Sequence, residues 1–235
     1  MVLQFIYPAR CPVCDTVLPV QNEAVCPECR AAFRYPEGNL CCQCGKPIDD
    51  HEIYCETCRN QAYTYLSGRA ALLYNGAMQE SIARFKYGGR QEYGRFFGRL
   101  LWEQQEEWIR RISPDLLVPV PLHRSRYRKR GYNQAQILAR ELSVHAGIPV
   151  VDDFLMRVKN TLPQKDLTGS ERKQNLQHAF RVNIRHRNLY ENIKCVILID
   201  DIYTTGSTVE MCSRVLQEAG IDHVYVLCLC IGKDS

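Results

Sequence analysis

Val196-Ile197-Leu198-Ile199-Asp200-Asp201-Ile202-Tyr203-Thr204-Thr205-Gly206-Ser207-Thr208 is the stretch whose reading decides the fold. Four apolar residues, two of them the β-branched isoleucines 197 and 199, suit a strand covered on both faces. Two adjacent carboxylates follow where that strand ends, and acids there suit hydroxyl groups or the water shell of a hard cation. Thr-Thr-Gly-Ser-Thr then offers hydroxyls and backbone N–H groups at the start of a helix, a place where anions bind. A capped helix after a strand explains the apolar run and Ser207. It does not explain paired acids beside four hydroxyl residues. Taken together the parts describe a sugar-phosphate site, with acids for ribose hydroxyls and a loop for a phosphate.

Outward from this stretch, strands and helices alternate. The sequence predicts strands at 70–74, 116–118, 150–151, 154–158 and 224–231, and helices over about 77–87, 91–111, 132–146 and from 207 to about 219. Gly88-Gly89, Pro114 and Gly147 stand where helices should stop. Such alternation predicts an α/β fold with a largely parallel sheet, whose ligands sit at the carboxyl ends of the strands. The paired acids lie at such an end.

The first sixty residues have a different composition. The chain of 235 residues holds 13 cysteines, nine of them before residue 60. They form the pairs Cys11/Cys14, Cys26/Cys29, Cys41/Cys44 and Cys55/Cys58, spaced C-x2-C-x11-C-x2-C and C-x2-C-x10-C-x2-C, with Cys42 as a spare. Each pair places two thiolates on a tight knuckle, and two knuckles complete a tetrahedral zinc site. Two nearly equal repeats predict two structural Zn2+ ions in tandem ribbons; sequential and interleaved pairings are both open to the spacing. The expected organisation is a double zinc ribbon over 1–60 and an α/β domain over 61–235. Cys195, Cys212, Cys228 and Cys230 fall in or beside apolar segments and read as small core residues.

Charge is divided in the same way. Residues 1–60 carry five Lys/Arg against eight Asp/Glu, net −3, which leaves 25 against 18, net +7, for the rest. A front end of that sign is a poor phosphate-backbone binder and suits a protein contact. The longest apolar run near the C-terminus, 224–231, is far too short to cross a bilayer, and the first ten residues lack the basic and apolar regions of a secretory signal. The expectation is a cytoplasmic protein, with peripheral placement at the inner face of the membrane left open.

Two further segments carry chemistry. Residues 118–134 run from Val-Pro-Val-Pro-Leu into His123-Arg124-Ser125-Arg126-Tyr127-Arg128-Lys129-Arg130 and then Gly-Tyr-Asn-Gln; five of the seven residues 124–130 are cationic. A basic loop directly after a strand suits a polyanion, either pyrophosphate or a nucleic-acid backbone. Residues 162–176 are polar, contain Pro163 and Gly169, and interrupt the alternation, as a functional loop does.

The Asp-Asp…Thr-Thr-Gly stretch resembles the phosphoribosyl-pyrophosphate (PRPP) loop of type I phosphoribosyltransferases. Joined to Val-Pro-Val-Pro-Leu…Arg-Gly-Tyr-Asn-Gln-Ala, to Gln-Lys…Glu-Arg…Asn-Leu…Ala-Phe and to the ribbons in front, it is similar to the ComF family of competence-associated proteins over essentially the whole chain. The resemblance implies a type I phosphoribosyltransferase-like sheet with helices on both faces. It implies PRPP as ligand, with Asp200 and Asp201 on the ribose hydroxyls directly or through Mg2+ waters. Thr204, Thr205, Gly206, Ser207 and Thr208 would then cradle the 5′-phosphate. Pro121, Leu122 and His123, with Arg128, Lys129 or Arg130 nearby, would hold pyrophosphate. Residues 162–176 would form a hood bearing Gln164, Lys165, Arg172 and Asn175. It further implies a part in DNA uptake, in which single-stranded DNA is handled and Tyr127 and Tyr132 stack on bases. Two alternatives remain open: phosphoribose transfer from PRPP to a nucleobase-like acceptor, with no residue marked as the base, and an adaptor role in which the ribbons recruit a partner from the uptake machinery.

Overall fold

The computed structural model describes residues 8–19, 24–158, 179–186 and 192–232. The two short helices α1 (Pro27–Ala31) and α2 (Glu56–Arg59) belong to the ribbons. The rest runs β1 (Ser67–Leu73), α3 (Gly76–Tyr87), α4 (Tyr93–Ile112), β2 (Leu116–Pro119), α5 (Arg124–Arg130), α6 (Gln134–Ala146), β3 (Leu155–Arg157), β4 (Phe180–Val182), β5 (Cys195–Tyr203), α7 (Ser207–Glu218) and β6 (His223–Ile231). The helix ends follow local chemistry. Asn75 Oδ1 accepts the Met78 N–H and Asn133 Oδ1 accepts the Ala135 N–H, and Gly147 takes the left-handed conformation just beyond α6.

The main sheet has the order β1-β6-β5-β2 with every pairing parallel, and an isolated parallel bridge from Leu117 to Val150 extends it by one position. Buried residues cover both faces. Leu72, Ile197, Ile199, Leu227 and Leu229 pack with Phe85, Phe97, Leu101 and Leu138 of α3, α4 and α6. Val118, Val196, Leu198, Val226 and Cys228 pack with Val209, Cys212 and Leu216 of α7. The expected α/β class, a parallel sheet with helices on both faces and a cysteine-rich front end, is the one observed. Cys212, Cys228 and Cys230 are fully buried, and Cys195 is half-buried.

Two expectations change. Residues 154–158 do not extend the sheet: Leu155–Arg157 pairs antiparallel with Phe180–Val182 in a separate two-stranded unit. The basic stretch is not a loop but α5, one short helix. His123 Nδ1 accepts the Ser125 N–H at its start, Gly131 closes it in the left-handed conformation, and its cations gather in the last turn, where the helix dipole favours them. A dense charge run hid that helix because it has no apolar face: none of its residues is buried.

The ribbons are packed against the sheet layers. Val13, Leu18, Val25 and Phe33 of the first join the core beneath α3 and α4, where Ser81 Oγ donates to Pro12 O at 2.5 Å and Asp15 Oδ2 pairs with Arg90 at 2.7 Å. Cys41, Cys44 and Cys55 of the second join the core on the α7 side.

Candidate functional site

Parallel pairing of β2 with β5 builds the site. Pro119 lies opposite Ile199, and the Val120 N–H donates to Ile199 O at 2.9 Å. The 121–123 turn therefore leaves the sheet beside the strand end that carries Asp200 and Asp201. Tyr203 ends β5, the 204–208 loop runs from it into the first residues of α7, and that helix is capped by Gly206. Its φ of +73° is the left-handed region, and an added Cβ would collide with the Tyr203 hydroxyl, so only glycine fits. Thr205 Oγ1 and Ser207 Oγ lie 2.9 Å apart across the turn. A cavity of about 90 Å3 lies between Asp200, Thr204, Ser207 and Thr208. That is room for roughly three waters at ~30 Å3 each, the scale of one phosphate group.

The acids are held unequally. Lys86 Nζ lies 2.9 Å from Asp201 Oδ2, both side chains nearly buried. Asp200 Oδ1 accepts the Asp201 N–H at 2.8 Å. Desolvation, then the neighbouring Asp201 charge, push the Asp200 carboxyl up to about 7. Such a carboxyl gains most from a ligand that supplies positive charge or hydroxyl donors. Oxygen donors of this kind fit ribose hydroxyls or a hard cation such as Mg2+.

Lys86 was not anticipated from the sequence. Its only signal was a lysine in the last turn of a helix, before Gly88-Gly89. The Tyr132-Asn133-Gln134 motif explains its placement. Tyr132 Oη and Gln134 Nε2 donate to Phe85 O at 2.5 and 3.1 Å, and Asn133 Nδ2 donates to Val120 O at 2.9 Å. One segment thus fixes both the turn that bears Lys86 and the turn at 121–123. Tyr132 is buried and so is not free to stack on a base, contrary to expectation. Tyr127 is exposed, as is Tyr87, another residue the sequence did not single out. Arg157 was also missed. It packs its guanidinium 5.2 Å from the Phe180 ring, and burial, then Arg126, lower its pKa to about 10.

The cations of α5 divide. Arg130 lies 4.8 Å over the Tyr87 ring and donates to Tyr87 Oη and Gln134 Oε1. Arg124, Arg128 and Lys129 are exposed, with no ion pair among the described residues. Beside Pro121, Leu122 and His123, a cavity of about 560 Å3 extends to Asn133 and Arg157. The proposed hood residues Gln164, Lys165, Arg172 and Asn175 lie outside the described residues.

Eight cysteines close two sites. Cys11, Cys14, Cys26 and Cys29 bring their sulfurs within 4.8 Å of one another, and so do Cys41, Cys44, Cys55 and Cys58. The pairing is sequential, and exposed Cys42 is outside both sets. Four thiolates per set fit a structural Zn2+ with no open position.

Residues 2–59 match the Double zinc ribbon domain family. Over 221 residues the chain is 29% identical to Competence protein F of Haemophilus influenzae, covering 92% of this chain and 94% of that protein. It is 30% identical over 228 residues to DNA utilization protein YhgH of Salmonella typhi, covering 95% and 97%. It is 31% identical over 207 residues to Competence protein ComFC of Bacillus subtilis, covering 85% and 80%. Among solved structures, an adenine phosphoribosyltransferase aligns at 15% identity and a TM-score of 0.36, over 72% of this chain and 84% of that one, a likeness too low to carry an argument. Fold and front end together define an α/β chain with a parallel sheet, preceded by a double zinc ribbon. The chain belongs to the ComF family of competence proteins.

Proposed function

We propose that this chain binds PRPP, or a closely related sugar pyrophosphate, at the carboxyl edge of its sheet and acts in DNA uptake by handling single-stranded DNA. The observation that carries the reading is the register of β2 with β5, which brings the 121–123 turn, the paired acids and the Gly206 loop to adjacent strand ends. In this reading Thr205, Ser207 and the first N–H groups of α7 hold the 5′-phosphate, and Asp200 and Asp201 take the ribose hydroxyls. The 121–123 turn and exposed Arg128 face the pyrophosphate. Bound Mg2+ would neutralise part of the pyrophosphate charge. Lys86 holds the Asp201 carboxylate in place before ligand arrives.

The names of the relatives, competence and DNA utilization proteins, support the setting. Single-strand binding rests on the exposed cations Arg124, Arg128 and Lys129 of α5 beside exposed Tyr87 and Tyr127, since base stacking on aromatics beside a cationic track tolerates any sequence. The cavity beside the 121–123 turn favours one further reading, transfer of phosphoribose to an acceptor held there. The ribbons over 1–60 and the domain over 61–235 act in this proposal as protein-contact module and ligand-binding unit.

Isothermal titration with PRPP and Mg2+ tests the pocket: binding is expected, and is lost in Asp200→Ala/Asp201→Ala. Unaltered binding in that variant overturns the site assignment. A PRPP-dependent pyrophosphate-release assay over nucleobases and single-stranded DNA separates turnover from binding alone.

A further inference from the structure

The second ribbon and the 204–208 loop are joined by a strap, residues 63–65, that no sequence motif announced. The strap is tied to the ribbon at one end: Gln43 Nε2 donates to Tyr65 O at 2.6 Å, and the Gly68 N–H donates to Gln43 O at 2.7 Å. The knuckle sits directly on the sheet here, because a Cβ at Gly45, where φ is +78°, would come 2.6 Å from Gly68 O. In the middle, Thr64 N donates to buried Glu210 Oε2 at 2.7 Å, Thr64 Oγ1 donates to Ser213 Oγ at 2.9 Å, and Gln217 Nε2 donates to Thr64 O at 2.9 Å. These bonds fasten the strap along α7, the helix that starts at the loop.

The other end reaches the loop itself. Tyr63 Oη donates to Thr205 O at 2.7 Å. The Tyr65 and Tyr203 hydroxyls lie 2.8 Å apart, and the Tyr63 and Tyr65 ring centroids are 5.2 Å apart. Gly206 rests against Tyr203 and Tyr63 so closely that no side chain could be added. Tyr65 and Tyr203 share one buried cluster with Cys41, Cys44 and Cys55. Among the described residues the first ribbon has no such path: its residues pack in the core on the opposite face of the sheet.

We propose that Tyr63, Tyr65 and Tyr203 are positioning residues that couple metal at the second cysteine site to the anion-binding shape of the 204–208 loop. The inference rests on that loop binding a sugar phosphate, and names its regulation. Coupling between two binding events is reciprocal, so ligand on the loop must strengthen the hold on metal at the second site and leave the first alone. Removing metal from the second site frees Tyr65 and Tyr203 to repack and loosens the loop.

The test uses the full chain loaded with two zinc ions, with zinc release followed by a chromophoric chelator and PRPP with Mg2+ as probe. Cys14→Ser assigns the first-ribbon phase. With the gain in affinity expressed in release, PRPP is expected to slow the second-ribbon phase by about fivefold, the lower end of ordinary equilibrium coupling, and to leave the first unchanged. Tyr63→Phe should still bind PRPP by calorimetry and lose that slowing. Without any ligand, Gly206→Ala should accelerate the second-ribbon phase alone, because its methyl displaces Tyr203. PRPP binding with no change in the second phase, full slowing in Tyr63→Phe, or an unchanged rate in Gly206→Ala each overturns the coupling. Failure of PRPP to bind overturns the pocket reading instead, and the Gly206→Ala arm still decides the coupling.

Discussion

Lys86 Nζ lies 2.9 Å from Asp201 Oδ2 and joins the last turn of α3 to the carboxyl end of β5. A pair this enclosed is a poor gauge of net stability, but breaking one side leaves the other charge uncompensated. Lys86→Met is therefore expected to destabilise the chain by roughly 1–3 kcal/mol, at or below the range for fully buried pairs because some water remains. Lys86→Met/Asp201→Asn should recover part of the loss. Urea denaturation of the two single variants and the double variant measures the coupling; strict additivity would remove the pair from the account.

The raised Asp200 carboxyl gives stability a pH dependence with a definite sign. Its pKa in the folded chain is raised to about 7, above the ordinary unfolded value of about 3.9, so the folded state holds the proton more firmly. The contribution is fully present below about pH 4 and is lost as pH rises through about 7. Between pH 6 and 8 the chain is expected to lose ~1 kcal/mol that Asp200→Asn does not lose, after a discount for solvent reaching this half-buried group. Urea midpoints at the two pH values check it. Mg2+ with PRPP should reverse the loss.

Zinc stoichiometry tests the pairing. Two ions per chain are expected, still two in Cys42→Ser, and one in Cys58→Ser, because Cys42 lies outside both thiolate sets. Elemental analysis of freshly purified reduced protein reads this directly.

Stacking and backbone contact separate in single-strand binding. Tyr87→Ala and Tyr127→Ala should each weaken binding by about 1–3 kcal/mol, the range for a lost base stack. Tyr132→Phe should leave binding intact and cost stability, because Tyr132 Oη donates to Phe85 O inside the core. Replacing Arg124, Arg128 and Lys129 with Ala should lower the slope of log affinity against log salt by up to about three contacts, at roughly 0.7 per phosphate on a single strand. An unchanged slope would place the strand elsewhere.

Much of this architecture is legible in one dimension. The run 196–199 is apolar on every position because helices cover both faces of the sheet, and the acids follow where that cover ends. The cysteine spacings announced two four-thiolate sets, since a knuckle needs only local geometry. Helix α5 was not legible, because an exposed helix with no buried residue has no apolar period to betray it. Tyr132 read as a stacking residue because an aromatic beside arginines looks exposed until its neighbours are known.

What the sequence determined by itself was set by short-range chemistry: the alternation of strands and helices, the hydroxyl-rich turn at Gly206 and the four cysteine pairs that supply the two metal sites. Which pairs of thiolates share an ion, that Lys86 meets Asp201, and that Tyr63 reaches Thr205 across 142 residues were decided only by the tertiary structure. Each of these contacts depends on how parallel strands register and how ribbons seat on opposite faces of one sheet. That is a property of packing between distant segments, and no local pattern encodes it.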